Sequence, residues 1–206
     1  MAKKEQDFTS YFYSNAIIPR KFTICGLELK PFCLGHLLIL EHTQNPIVNI
    51  NAQDTTLEDS IYYFFHALLV CGLNYEENLT LLDNSTDYKE YVDKFTQNML
   101  KNMEHESDWN ILKKLNMFET YVKFHMEMPL YSEEQNQDIS TPSGTDWRQN
   151  LFLIFKKLGY DESEILNMNF KKMFYEWASY SEAEGAIKVM NRIDIEQLNN
   201  AKKRKI

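Results

Sequence analysis

The chain is short of turn-formers. Its 206 residues include six glycines and five prolines, which argues against a fold of many short strands and favours long elements. It is also short of cysteine. Cys25, Cys33 and Cys71 are odd in number and lack metal-binding spacing, which excludes a disulfide framework and a zinc module; they read as small buried hydrophobes in a reducing compartment. No apolar run approaches the roughly 20 residues that span a bilayer. Positive charge is scarce, with 22 Lys and Arg against 30 Asp and Glu and a net charge of -8, so no nucleic-acid footprint is expected. The opening Met1-Ala2-Lys3-Lys4 leads into Glu5, Gln6 and Asp7 with no apolar segment of a signal peptide, and a cytoplasmic protein is expected. GxGxxG, a phosphate loop and GxSxG are all missing. Neither enzymatic activity nor a cofactor is expected, and a Cys–His pair or a carboxylate cluster assembled by folding would be the route back to catalysis.

Apolar bulk is abundant. Apolar residues make up 44% of the chain, with 13 Phe, 12 Tyr and 3 Trp. That is enough for a sizeable core, with aromatics left for a surface or a partner. The densest stretch is 57–73, where no charge follows Ile61 until Glu76. A helix apolar on every side has to be buried on every side. The expected fold is therefore mainly α, a helical bundle around this central helix. Thr56 is its expected cap, with Asp59 at the third helical position, and Gly72 with Asn74 its expected stop. His66 has no second His or carboxylate three or four residues away, so it reads as a neutral, hydrogen-bonded core histidine. His36 and His42 are six apart and face different sides of a helix, so with Glu41 they do not form the zinc hydrolase pattern.

Residues 1–20 read as an aromatic, loosely ordered arm, and Phe8, Tyr11, Phe12 and Tyr13 are candidate partner-binding residues. Residues 21–30 alternate around Gly26 as a small β-hairpin. Pro31 fits the first turn of a helix running through Phe32, Leu34 and Leu37 to about Thr43, ended by Asn45-Pro46. Gly35 inside it costs about 1 kcal/mol relative to Ala, a cost that close backbone packing would justify. Residues 83–86 read as a turn. Tyr88, Tyr91, Val92, Phe95, Met99 and Met103 then recur at helical spacing, and Trp109, Leu112, Leu115, Phe118, Val122 and Met126 line the next helix. The two are expected to form an antiparallel hairpin across 105–107.

Met126, Met128, Leu130 and Tyr131 form a second candidate partner-binding run, whose alternative reading is the last core contact of a helix. Residues 131–146 read as a polar linker loop, with Glu133 and Glu134 solvated. Residues 147–206 read as C-terminal helices packed on the same core as 21–130. Their stripes are Trp147, Leu151, Ile154, Phe155 and Leu158, then a short helix from Ser163, then Phe170, Met173, Phe174 and Trp177 to near Gly185. Asp194 is the expected cap of a terminal helix, and Lys202, Lys203, Arg204 and Lys205 a solvated basic tail.

Two stretches carry a family resemblance. From Pro19 to Glu41 the chain has a short strand, Gly26, a strand ending at Pro31, then Leu34-Gly35-His36 opening a leucine-rich helix. In the carboxyl part, Trp147 begins a helix, Gly159-Tyr160 follows, and Ile165, Leu166, Asn167 and Met168 lead to a helix reaching Glu182, Glu184 and Gly185. This order resembles bacteriophage and prophage tail-region proteins that include tail assembly chaperones, and the central segment ending at Cys71 is similar to their buried helix. The resemblance implies a non-enzymatic protein that keeps a long helical tape measure protein soluble in the host cytoplasm before the tail tube forms. It brings no catalytic residue. A groove between helices suits the apolar stripe of such a partner, and Met with aromatics suits several related segments. The alternative is a tail or connector subunit retained in the particle, which would need self-association. Neither nucleic acid nor membrane is an expected partner.

Overall fold

The computed structural model describes residues 20–48, 57–83, 85–103, 108–129, 131–133 and 146–189. Among them the helices are α1 (Leu34–His42), α2 (Leu57–Gly72), α3 (Tyr75–Asp83), α4 (Ser85–Asn102), α5 (Asp108–His125), α6 (Trp147–Lys157), α7 (Glu162–Asn167) and α8 (Phe170–Ala183). The strands are β1 (Phe22–Ile24), β2 (Leu27–Leu29), β3 (Tyr131–Glu133) and β4 (Ile187–Val189). The fold is mainly α with a small antiparallel hairpin near the N-terminal side, as expected. Most of the aromatic arm, Thr56, the joint at 105–107, Asp194 and Lys202 to Lys205 lie outside the described residues.

The chain forms two compact units. The first holds 20–126 and 160–169; the second holds the described parts of 127–159 and of 170–206. Of the segment 147–206, residues 160–169 belong to the first unit.

In the first unit, β1 and β2 pair with Phe22 opposite Leu29. Cys25 and Gly26 both have positive φ, 53° and 76°, the two-residue turn whose twist matches the flanking strands. The chain stays extended past Pro31 to Cys33, which bridges Asn169. That bridge delays α1, so Cys33 and not Pro31 stands at its entrance. Gly35 does make the close approach its cost called for: a Cβ there would lie 2.6 Å from the Tyr75 ring and 2.8 Å from the Leu166 carbonyl oxygen. In α2 every side chain from 64 to 71 is buried, as an all-apolar helix requires.

Three details of the first unit differ from expectation. Asn74 opens a helix as well as following α2. Its Oδ1 accepts from Glu77 N at 2.8 Å and its own N donates to Glu77 Oε2 at 2.7 Å, a reciprocal cap that starts α3. The anticipated turn at 83–86 shrinks accordingly, because Asp83 ends α3 and Ser85 begins α4. The buried face of α5 is rotated: Phe118, Tyr121 and His125 are buried while Leu112 is half exposed. Tyr121 draws that face inward by donating its hydroxyl to the Lys30 carbonyl at 2.7 Å, with Phe22 and Phe32 edge-on to its ring. Around this frame α4 packs on α2 and α3, α5 on β1, and α7 on α1 and α3.

In the second unit, β3 pairs antiparallel with β4, Tyr131 opposite Val189. Residues 131–133 are therefore strand and not linker, and 187–189 are strand as well. The anticipated linker's remaining residues, 134–145, lie outside the described ones. Asp146 caps α6 by accepting from Arg148 N at 2.9 Å. Phe170 and Phe174 stack with Trp147 against both, and Ala178, Ile187 and Val189 form a small cluster with Trp177. Buried Lys171 pairs with Glu127, Nζ to Oε2 at 2.6 Å. No helix among the described residues is long and apolar enough to cross a membrane.

Candidate interaction surface

Two of the three cysteines, Cys33 and Cys71, lie buried in the core of the first unit with His36 and His66. Burial pushes the Cys33 thiol up to about 12 and raises the Cys71 thiol too, so both stay protonated and unreactive. His36 is buried, with Nε2 donating to the Leu73 carbonyl at 2.7 Å; burial holds it down to about 4. His66 is the neutral, hydrogen-bonded core histidine the sequence anticipates, with partners at both ring nitrogens. Among the described residues no three His, Cys, Asp or Glu side chains gather as metal ligands do.

The surface offers something different. A cleft of about 320 Å³ opens between the hairpin turn, the end of α4 and the middle of α5, lined by Thr23, Cys25, Gly26, Met99, Asn102, Met103, Lys114 and Met117. Each element places its part for a local reason. The tight turn at Cys25-Gly26 brings its tip to the cleft. Met103 follows the last residue of α4 and donates its N–H to the Met99 carbonyl at 3.1 Å, so the four-residue spacing of the pair puts both on one face. The rotation of α5 that buries Tyr121 leaves Met117 turned out, 40% exposed. Met103 is buried, and its Sδ lies 4.0 Å from Cys25 Sγ. Soft sulfur therefore forms much of the wall, with Lys114 and Asn102 supplying the polar part. Leu100 and Leu112 add exposed apolar area on the same two helices.

None of the sequence-derived candidates is among the residues lining this cleft. Phe8, Tyr11, Phe12, Tyr13 and Leu130 lie outside the described residues. Met126 is half-buried just past α5, at the end of the first unit, whereas Met128 is exposed in the second. Tyr131 is taken into β3. The run 126–131 is therefore divided between the two units. The helical spacing of Met99 and Met103 points to a core stripe and does not single out the cleft, although five of the nine methionines fall between Met99 and Met128. Comparison of the chain with family models, with curated proteins and with solved structures finds no match.

Proposed function

We propose that the chain is a non-enzymatic tail assembly chaperone of a bacteriophage or prophage, binding amphipathic segments of the tape measure protein in the host cytoplasm. The observation that supports this most is the methionine-lined cleft of the first unit. Unbranched thioether side chains repack around differing apolar partners, and a chaperone for a long helical protein has to accept many related segments. An apolar residue of such a segment enters between Met99, Met103 and Met117, while Lys114 meets an acidic or carbonyl group beside it. Co-expression with the long helical protein encoded nearby tests the reading. Soluble partner protein in a complex with this chain is the expected result; unchanged insolubility with no complex contradicts it.

A structural tail or connector subunit is the second reading. It is favoured by α6, where Trp147 and Leu153 stand exposed, with Leu158 at its end, a surface suited to contact between copies. Mass spectrometry of purified particles separates the two. A chaperone is absent or far below the stoichiometry of tail subunits, and a retained subunit is present at fixed copy number.

A further inference from the structure

Asn45, in the turn after α1, is fully buried, and its side chain is held at both ends. Nδ2 donates to the Tyr63 carbonyl at 2.9 Å, and Oδ1 accepts from Ile47 N at 3.0 Å. These bonds fix which end of the amide faces His66: Nδ2 lies 3.0 Å from Nδ1 of the imidazole. An amide nitrogen only donates, so Nδ1 has to accept. The ring proton is then on Nε2, donated to the Tyr88 hydroxyl at 2.5 Å. One neutral tautomer of a buried histidine thus joins three parts of the first unit: the turn after α1, the middle of α2 and the first turns of α4.

We infer that Asn45, His66 and Tyr88 form a proton-operated latch, which detaches the turn at 43–48 and the start of α4 from α2 when His66 gains a proton. A proton on Nδ1 faces the Asn45 N–H, and two donors share no hydrogen bond. The amide cannot turn over without abandoning both the Tyr63 carbonyl and Ile47 N. Among the described residues, the hydrogen-bond partners of the His66 ring are Asn45 and Tyr88, and neither is a carboxylate. The titratable and charged side chains on the packed elements are Glu28 on β2, His36, Glu41 and His42 on α1, Glu58, Asp59, Tyr62, Tyr63 and Cys71 on α2, and Asp87, Tyr88, Lys89, Glu90, Tyr91, Asp93, Lys94 and Lys101 on α4. Of these, Tyr88 is the one with a ring contact and hydrogen bond to His66, and Asp93 is bonded to Tyr62. Burial, with no neighbouring charge, sets the proton affinity of the ring and holds it down to about 4.

A pH titration of the full chain by NMR, read at the His66 ring and the Asn45 side-chain amide, tests the latch. The expected result has the Nε2–H tautomer at pH 7 and a midpoint well below the ordinary value of about 6.5. As His66 titrates, the Asn45 amide signals shift, and amide protection, corrected for intrinsic exchange, falls at 43–48 and 85–92 before it falls at 64–71. An ordinary midpoint, the Nδ1–H tautomer, or protection lost uniformly across α2 overturns the proposal. His36 titrates in the same range but is read at its own resonance. Asn45→Asp supplies an acceptor for Nδ1–H and is expected to raise the His66 midpoint by about one pH unit or more, as a paired carboxylate does. An unchanged midpoint in a folded Asn45→Asp chain contradicts the latch, and the wild-type titration decides the matter if that variant does not fold.

Discussion

At Gly35 there is no room for a methyl group, because the Tyr75 ring and the Leu166 carbonyl already occupy its space. Gly35→Ala gains about 1 kcal/mol of helix propensity but has to move backbone, and a net loss of roughly 1–3 kcal/mol is expected in urea unfolding. Gly26→Ala meets nothing within 4 Å, so its cost comes from its left-handed backbone alone, about 1 kcal/mol. A glycine inside a leucine-rich helix already signalled a close approach; Tyr75 and Leu166, distant in sequence, did not announce themselves as the cause. The buried histidines give a pH prediction. His36 and His66 both have folded values of about 4, below the ordinary 6.5, so the unfolded chain binds more protons between those values. Their contribution is complete above pH 6.5 and is lost as pH falls toward 4, up to roughly 3 kcal/mol for each. Chemical denaturation at pH 7 and pH 4.5 measures the loss, and His36→Gln with His66→Gln in one chain is expected to flatten it.

Among elements, α3 shows how a helix forms with almost no buried face. Asn78 is its one fully buried residue, donating to the Val70 carbonyl at 2.9 Å. The reciprocal cap at Asn74 and Glu77 starts it, and Tyr75 N donates to Asn167 Oδ1 at 3.0 Å to tie it to α7. Asn74→Ala is expected to cost about 1 kcal/mol, checked by urea unfolding and by lost amide protection in the first turn of α3. Asn74 and Glu77 stand in the sequence at capping-box spacing, but hydrophobic periodicity finds no stripe there to follow. The strands β3 and β4 were invisible for another reason. Three residues hold no alternation to read, and each is defined by the other across the chain. The all-apolar α2 and the striped α4, α6 and α8 were legible. On α5 the periodicity was right, but the face was rotated by the hydroxyl of Tyr121, which hydropathy does not weigh.

At the scale of the whole molecule, few glycines and prolines and one all-apolar helix were enough to indicate a mainly helical chain. The division into two units was not legible, because residues 160–169 return to the first unit without any change of composition at their ends. The cleft was hidden for the same reason: Cys25, Met103 and Met117 come from a turn and two helices that only folding brings together. Met117 is 40% exposed and lies outside the buried core, so Met117→Asp is expected to keep the fold, checked by its circular dichroism, while placing a charge in the cleft. Titration calorimetry of the purified chain and this variant, using an amphipathic helical segment of the tape measure protein, tests the functional proposal most directly. A docking cleft predicts saturable binding by the wild-type chain and an affinity about tenfold or more weaker for Met117→Asp. No binding, or equal binding by both, contradicts it.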